Sequence, residues 1–144
     1  MSELTMSKAT REAFLAGVHV GVFCVSRPGG APLATPVWYL YEAGGEVRVI
    51  IGADSEKARL VKAAGVASLC AQNESMPYGF VTVEGPAVVE DGDGGLAFEM
   101  AERYLGPDLA KGYVEQTAGS NSAVVRITPQ RWRTNDYSGW TPAS

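Results

Sequence analysis

Histidine is almost missing from this chain, with His19 the one example in 144 residues, so a histidine dyad or a His-rich metal cluster is excluded. Cysteine is nearly as scarce. Cys24 and Cys70 stand in separate apolar runs without a CxxC spacing, which reads as reduced, buried thiols and leaves no disulfide frame. No serine elbow is present. Basic excess is lacking too: 12 Lys and Arg against 16 Asp and Glu give a formal charge of −4, which argues against a nucleic-acid partner. No apolar stretch reaches membrane-spanning length, and the polar start, Met1 to Arg11, has no signal core. A soluble cytoplasmic protein with no membrane partner is expected, and the length suits one domain over 1–144.

What is plentiful is glycine, 17 residues, and short β-rich runs between turns. A helix over Lys8–Ala16 is stopped by Gly17. Strands are expected over Val18–Ser26, Pro32–Tyr41, Glu46–Ile51, Val66–Gln72, Tyr78–Val89 and Asn121–Thr128. Helices are expected over Leu96–Leu105 and Asp108–Glu115, and the end of the chain reads as a polar tail. Six strands joined mostly by hairpins, with one helix crossing between the third and fourth, predict a small antiparallel barrel of the mainly β, α+β class. The first strand is apolar on both faces and must be covered twice. A homodimer is the economical expectation.

Two constellations suggest a ligand. In Gly52-Ala-Asp-Ser-Glu-Lys-Ala-Arg-Leu-Val-Lys-Ala-Ala-Gly65, a β-branched run ends at Ile51 and Ser55 is placed to cap a helix starting at Glu56. Such a junction presents backbone N–H groups and a positive dipole end to an anion. Lys57 shares a helical stripe with Val61 and Ala64, whereas Arg59 and Lys62 turn to the far side. Lys57 thus suits a ligand phosphate; its alternative role is that of an ordinary snorkelling lysine. In the second constellation, Thr35-Pro-Val-Trp-Tyr39, Pro36 confines the strand to an edge, freeing backbone groups at Val37 for a heterocycle, with Trp38 as an aromatic wall. An edge strand packing its tryptophan inward is the plainer alternative.

Taken in order, Thr-Pro-Val-Trp-Tyr39, Asp-Ser-Glu-Lys-Ala-Arg59, Ala-Ser-Leu-Cys-Ala-Gln72 and Val-Thr-Val-Glu-Gly-Pro86 resemble the pyridoxamine 5′-phosphate oxidase-like split β-barrel superfamily, over about Phe14 to Trp132. Within it the chain resembles the flavin/deazaflavin oxidoreductase branch, whose members bind coenzyme F-420 or FMN. The resemblance implies a six-stranded antiparallel split β-barrel with flanking helices, homodimeric, with cofactor sites at the subunit interface. It implies that Thr35, Pro36, Val37 and Trp38 present backbone to the ring and that Ile51 and Gly52 pass the ribityl chain. Ser55 and Lys57 then form the phosphate corner, and Gln72 is a further cofactor contact.

The chain departs from the family pattern in two places. Glu56 stands where FMN-binding members commonly carry an arginine, and true pyridoxamine phosphate oxidases carry a longer C-terminus with an arginine and a histidine for the substrate, whereas the one histidine here, His19, lies in an early strand, which argues against that activity. The implied function is therefore an oxidoreductase using reduced F-420 to pass a hydride to a small conjugated substrate, with no side chain assigned a catalytic role and no metal. The alternatives are an FMN-dependent reductase or oxidase, or a carrier of a flavin, deazaflavin or tetrapyrrole. Tyr78 or solvent could supply a proton. Arg126, Arg131 and Arg133 could meet an anionic cofactor tail across the dimer or form a solvated rim. Asp91, Asp93, Glu99 and Glu102 mimic calcium-loop offsets, but Leu96 replaces the required glycine, so a solvated acidic loop is expected.

Overall fold

A computed structural model describes residues 4–140 and 142, so that residues 1–3, 141, 143 and 144 of the expected 1–144 domain lie outside the described residues. Ser7 opens α1 (Lys8–Ala16) by accepting from the Thr10 N–H, and the Gly17 N–H closes it on Phe14 O. Then follow β1 (Gly21–Val25), β2 (Leu33–Val37), β3 (Val47–Gly52), α2 (Glu56–Ala64), β4 (Val66–Gln72) and β5 (Gly79–Asp91). The chain continues through α3 (Gly94–Leu105), α4 (Pro107–Thr117), β6 (Ser122–Ile127) and β7 (Arg131–Asp136).

All pairings are antiparallel, along the path β2-β1-β4-β5-β6-β3, with β7 beside β5. The long strand β5 serves two partners in turn: its first half lies between β4 and β7, and its second half pairs with β6. Among the described residues, the path's two ends meet at one isolated bridge, Leu40 with Arg48, so the barrel is split between β2 and β3. Alternation fills the interior. Phe23, Leu69, Val81, Val83 and Val125 point inward and are fully buried, as are Ala58 and Val61 on the inner face of α2. A second, smaller core of Leu40, Leu96, Met100 and Val124 holds α3 against the outside of the sheet.

The structure adds a seventh strand where the sequence suggested a polar tail. In β7 the inward positions are Trp132, over which the Arg11 guanidinium sits 4.5 Å from the ring centroid, and Thr134, whose hydroxyl accepts from the Met6 N–H at 3.0 Å. A strand whose inward residues need polar partners shows no apolar period two, which is why it escaped notice. The first strand is covered once: Phe23 and Val25 are buried, but Val20 and Val22 are 55% and 38% exposed on the outer face. Cys24 and Cys70, expected to be buried, are free thiols at half-buried positions on the same face.

Tyr39 is the largest fully buried side chain, and its hydroxyl donates to Leu15 O at 2.7 Å, tying the exit of β2 to the end of α1. Burial holds this hydroxyl far above the ordinary tyrosine range; neighbouring Tyr104 pushes the same way and Arg103 opposes. Because the folded state keeps the proton and the unfolded chain releases it near pH 10, this stabilisation is complete below about pH 10 and is lost as pH rises beyond it. Tyr39→Phe is therefore expected to cost about 1 kcal/mol at pH 7, and the deficit should narrow above pH 10. Urea unfolding at the two pH values checks it. A deficit that grew in alkali would contradict the assignment.

Candidate functional site

The split holds a cavity of about 890 Å³. One wall is sheet: Pro36, Val37 and Trp38 leaving β2, and Ile50, Ile51 and Gly52 leaving β3. The other wall is helical, with Met100 of α3, Tyr113 and Thr117 of α4, and the turn that leads through Asn121 and Ser122 into β6. Gly92, Asp93 and Gly94 at the mouth of α3 and Lys57 at the mouth of α2 also line it, with Gly92 and Gly52 both adjoining Ser122. Val20, Trp38 and Met100 add apolar surface to the lining. The lining thus combines polar groups at two helix mouths with apolar surface, a mixture suited to a planar ring with a polar tail.

The mouth of α2 is built as the helix-start signal predicts. The Ser55 hydroxyl accepts from the Ala58 N–H at 3.2 Å and donates to Gly52 O at 2.7 Å, which fixes the turn from β3 into α2. Glu56 and Lys57 are the first two residues of α2, so their N–H groups are first-turn donors. Lys57 is half-buried on the cavity wall, while Arg59 and Lys62 are exposed on the far side, as the stripe predicts. Arg59 also bends back, donating to Asp54 O at 3.1 Å. Asp93 caps α3 by accepting from the Gly95 and Leu96 N–H groups at 2.8 and 3.2 Å. Asp91, Asp93, Glu99 and Glu102 are all exposed, as the sequence suggests, and Asp93 is also part of the cavity wall. Lys57 and Asp93 are the charged residues among the described lining, so its formal charges cancel.

Of the nine residues expected to touch a cofactor, six line this cavity: Pro36, Val37, Trp38, Ile51, Gly52 and Lys57. Ile51 does so mainly through its backbone, since its side chain is buried in the main core. Thr35, Ser55 and Gln72 are not in the lining. Thr35 pairs with inward-facing Phe23 and so sits on the face opposite Pro36; Ser55 spends its hydroxyl on the helix cap; Gln72 ends β4 opposite Phe80. Trp38 is less free than a bare aromatic wall. Its ring stacks on Tyr104 at 5.0 Å and 5°, and Tyr113 tilts against it at 5.5 Å. Tyr104 is itself pinned, donating to His19 O at 2.6 Å and accepting from the Tyr39 N–H at 3.1 Å.

Other candidates lie elsewhere. Tyr78 is an exposed residue outside the cavity lining, so it is not placed as a proton donor within one chain. Arg126 is engaged with Glu90 at 2.6 Å, and Arg131 and Arg133 lie on β7 opposite Glu84 and Thr82. His19 stacks on Phe14 at 4.6 Å with Nε2 3.0 Å from Phe14 O. The residues that sequence reasoning missed are those of α3 and α4 and the turn after them. Their contribution was hidden because Met100, Tyr113 and Thr117 look like ordinary faces of amphipathic helices; only the Asp93-Gly-Gly95 cap signalled a second helix mouth.

An antiparallel sheet that opens between two strands, with four helices around it, defines the split β-barrel class of α+β proteins. The family described as Pyridoxamine 5′-phosphate oxidase matches residues 7–136, and the chain belongs to it. Comparison with curated proteins gives no match. Among solved structures, the fold is similar to a conserved hypothetical protein from Mycobacterium tuberculosis, with a TM-score of 0.79 and 25% identity over 100% of this chain and 94% of that one. It is also similar to an F420 reductase, with a TM-score of 0.68 and 20% identity over 85% of this chain and 94% of that one. A third is the FAD and heme binding protein from Mycobacterium smegmatis, with a TM-score of 0.71 and 14% identity over 99% of this chain and 77% of that one.

Proposed function

We propose that the cavity at the split binds a flavin-type cofactor, the deazaflavin F-420 before FMN, and that the protein is an oxidoreductase acting on a small conjugated organic substrate. The observation that carries this reading is the lysine at a helix mouth joined, within one cavity, to an apolar strip beside an edge strand. The donor set fits. Lys57 and the first-turn N–H groups would hold a phosphate, the backbone around Pro36 and Val37 would face the ring, and Ile50 and Met100 would keep water from it. The bound cofactor supplies the hydride chemistry. The protein's own share is orientation, exclusion of water and electrostatic fit at the phosphate. Family membership does not carry pyridoxamine phosphate oxidation with it, because the single histidine is held at Phe14 O, outside the cavity lining.

A second copy of the chain belongs to the same proposal. Val20 lines the cavity and is also exposed along with Val18 and Val22, so a partner covering those residues would also cover part of the cavity. A monomer in sedimentation at concentrations where cofactor is bound would remove the partner from the scheme.

Titration with F-420, FMN and riboflavin, followed by fluorescence, tests the cofactor. Saturable binding of F-420, and oxidation of its reduced form by a quinone or enone, is the expected result. Tight F-420 binding without turnover on any such acceptor would instead favour a carrier, and a yellow purified protein would favour FMN. Binding of none of these compounds would remove the reading altogether.

A further inference from the structure

Where Lys57 lines the cavity, its neighbour in sequence works against a high negative charge. Glu56 is the first residue of α2, and its Oε1 lies 2.6 Å from Arg27 Nη2, which reaches over from the turn after β1. Arg27 is a cation beside the first turn of α2, yet its charge is consumed by this pair and it does not line the cavity. The remaining charges nearby tell the same way. Arg59 is turned back onto Asp54 O, the Asp54 carboxylate accepts from Asn121 at 3.0 Å, and Asp93 adds a negative charge to the lining itself. Among the described lining residues the cavity therefore offers one ammonium, that of Lys57, balanced by Asp93 and with Glu56 adjoining it in sequence. Attraction for a first negative charge on a ligand phosphate is strong there, and a second meets carboxylates without a further cation.

We propose that Glu56, by pairing with Arg27, is a specificity-determining residue that makes this cavity prefer a singly charged phosphodiester to a doubly charged phosphomonoester. The inference rests on the cavity holding a phosphate-bearing cofactor and deepens that reading, because it assigns the discrimination to a residue that touches neither ring nor substrate. Glu56 acts through Arg27 and through its own field, so it is a positioning residue. Both side chains are about half exposed, so neutralising Glu56 removes a surface ion pair and leaves the fold intact.

The test compares FMN with its monomethyl phosphate ester, two probes with the same ring and chain that differ by one charge. Fluorescence titration at pH 7.5 and low salt is expected to show the ester binding at least as tightly as FMN. In Glu56→Gln the ratio should move about three- to tenfold towards FMN, the range expected of one charge acting over a few ångströms in a solvated corner. Lys62→Gln, on the far side of α2, should leave the ratio alone. Lowering the pH through about 6 protonates the FMN phosphate, so the difference between Glu56→Gln and the natural protein should fade. Riboflavin, without phosphate, should bind both proteins equally. If both esters bind but their ratio ignores Glu56, or if FMN is preferred to the ester by the same margin in both proteins, this inference is overturned and the cavity assignment stands. If F-420, FMN and the ester all fail to bind the natural protein, the cavity assignment itself fails and this inference falls with it.

Discussion

Gly85→Ala is expected to destabilise the protein by about 3 kcal/mol or more, enough to remove much of the margin of a small domain. The reason is a contact between backbones. Gly85 lies where β5 leaves its partners β4 and β7 and passes to β6, and there the chain runs hard against Thr128. A Cβ at Gly85 would stand 1.8 Å from the Thr128 carbonyl oxygen, a distance no pair of atoms tolerates without movement. Movement is opposed on both sides. The Thr128 N–H donates to Pro86 O and the Gln130 N–H to Glu84 O, each at 2.9 Å, clamping the strand connection onto β5. Relief must break one of these bonds or shift the strand, so both strain and lost hydrogen bonds enter the cost. Gly112→Ala is the contrast. It lies within α4 with nothing in reach of the added methyl, and should be neutral or stabilising by up to about 1 kcal/mol. Urea unfolding of the two variants measures both, and equal midpoints would refute the argument from close approach.

Lys57→Ala should weaken binding of a phosphate-bearing cofactor by about 1 to 3 kcal/mol, or roughly 5- to 150-fold in dissociation constant, through loss of a charge-assisted contact. Three features make the effect large for one side chain. Lys57 is half-buried in the cavity wall, so its field is less screened than that of a surface lysine. It belongs to the first turn of α2, whose N–H groups reinforce it. It is also the single cation among the described lining residues, so nothing replaces it. Lys57→Arg should recover much of the loss, Lys62→Ala should show none, and riboflavin should bind the natural protein and Lys57→Ala alike. Folding should be unaffected, because α2 is anchored by Ala58 and Val61. An unchanged dissociation constant for FMN and F-420 in Lys57→Ala would take that residue out of the site.

The two variants probe features of different legibility. Lys57 was readable because everything that places it is local: the Ser55 cap sets the helix start, and the three-to-four spacing with Val61 sets the face. The edge position of β2 was readable from Pro36 for the same kind of reason, and the structure puts β2 at one end of the sheet path. Gly85 carried no such mark. Its need for glycine comes from Thr128, 43 positions later, and nothing in Val-Glu-Gly-Pro86 distinguishes a clamp from an ordinary bend. β7 was missed because its inward residues are satisfied by Arg11 and the Met6 backbone, partners at the opposite end of the chain.

By itself, then, the sequence determined the alternation of short strands with capped helices, the edge in β2 and the cationic mouth of α2, since capping, proline geometry and periodicity act over a few residues. The tertiary structure alone decided that the barrel opens between β2 and β3, that α3 and α4 supply the cavity's second wall, and that Arg27 is held by Glu56. Those outcomes depend on which distant segments share space. Chain closure and packing settle that, and no local pattern encodes it.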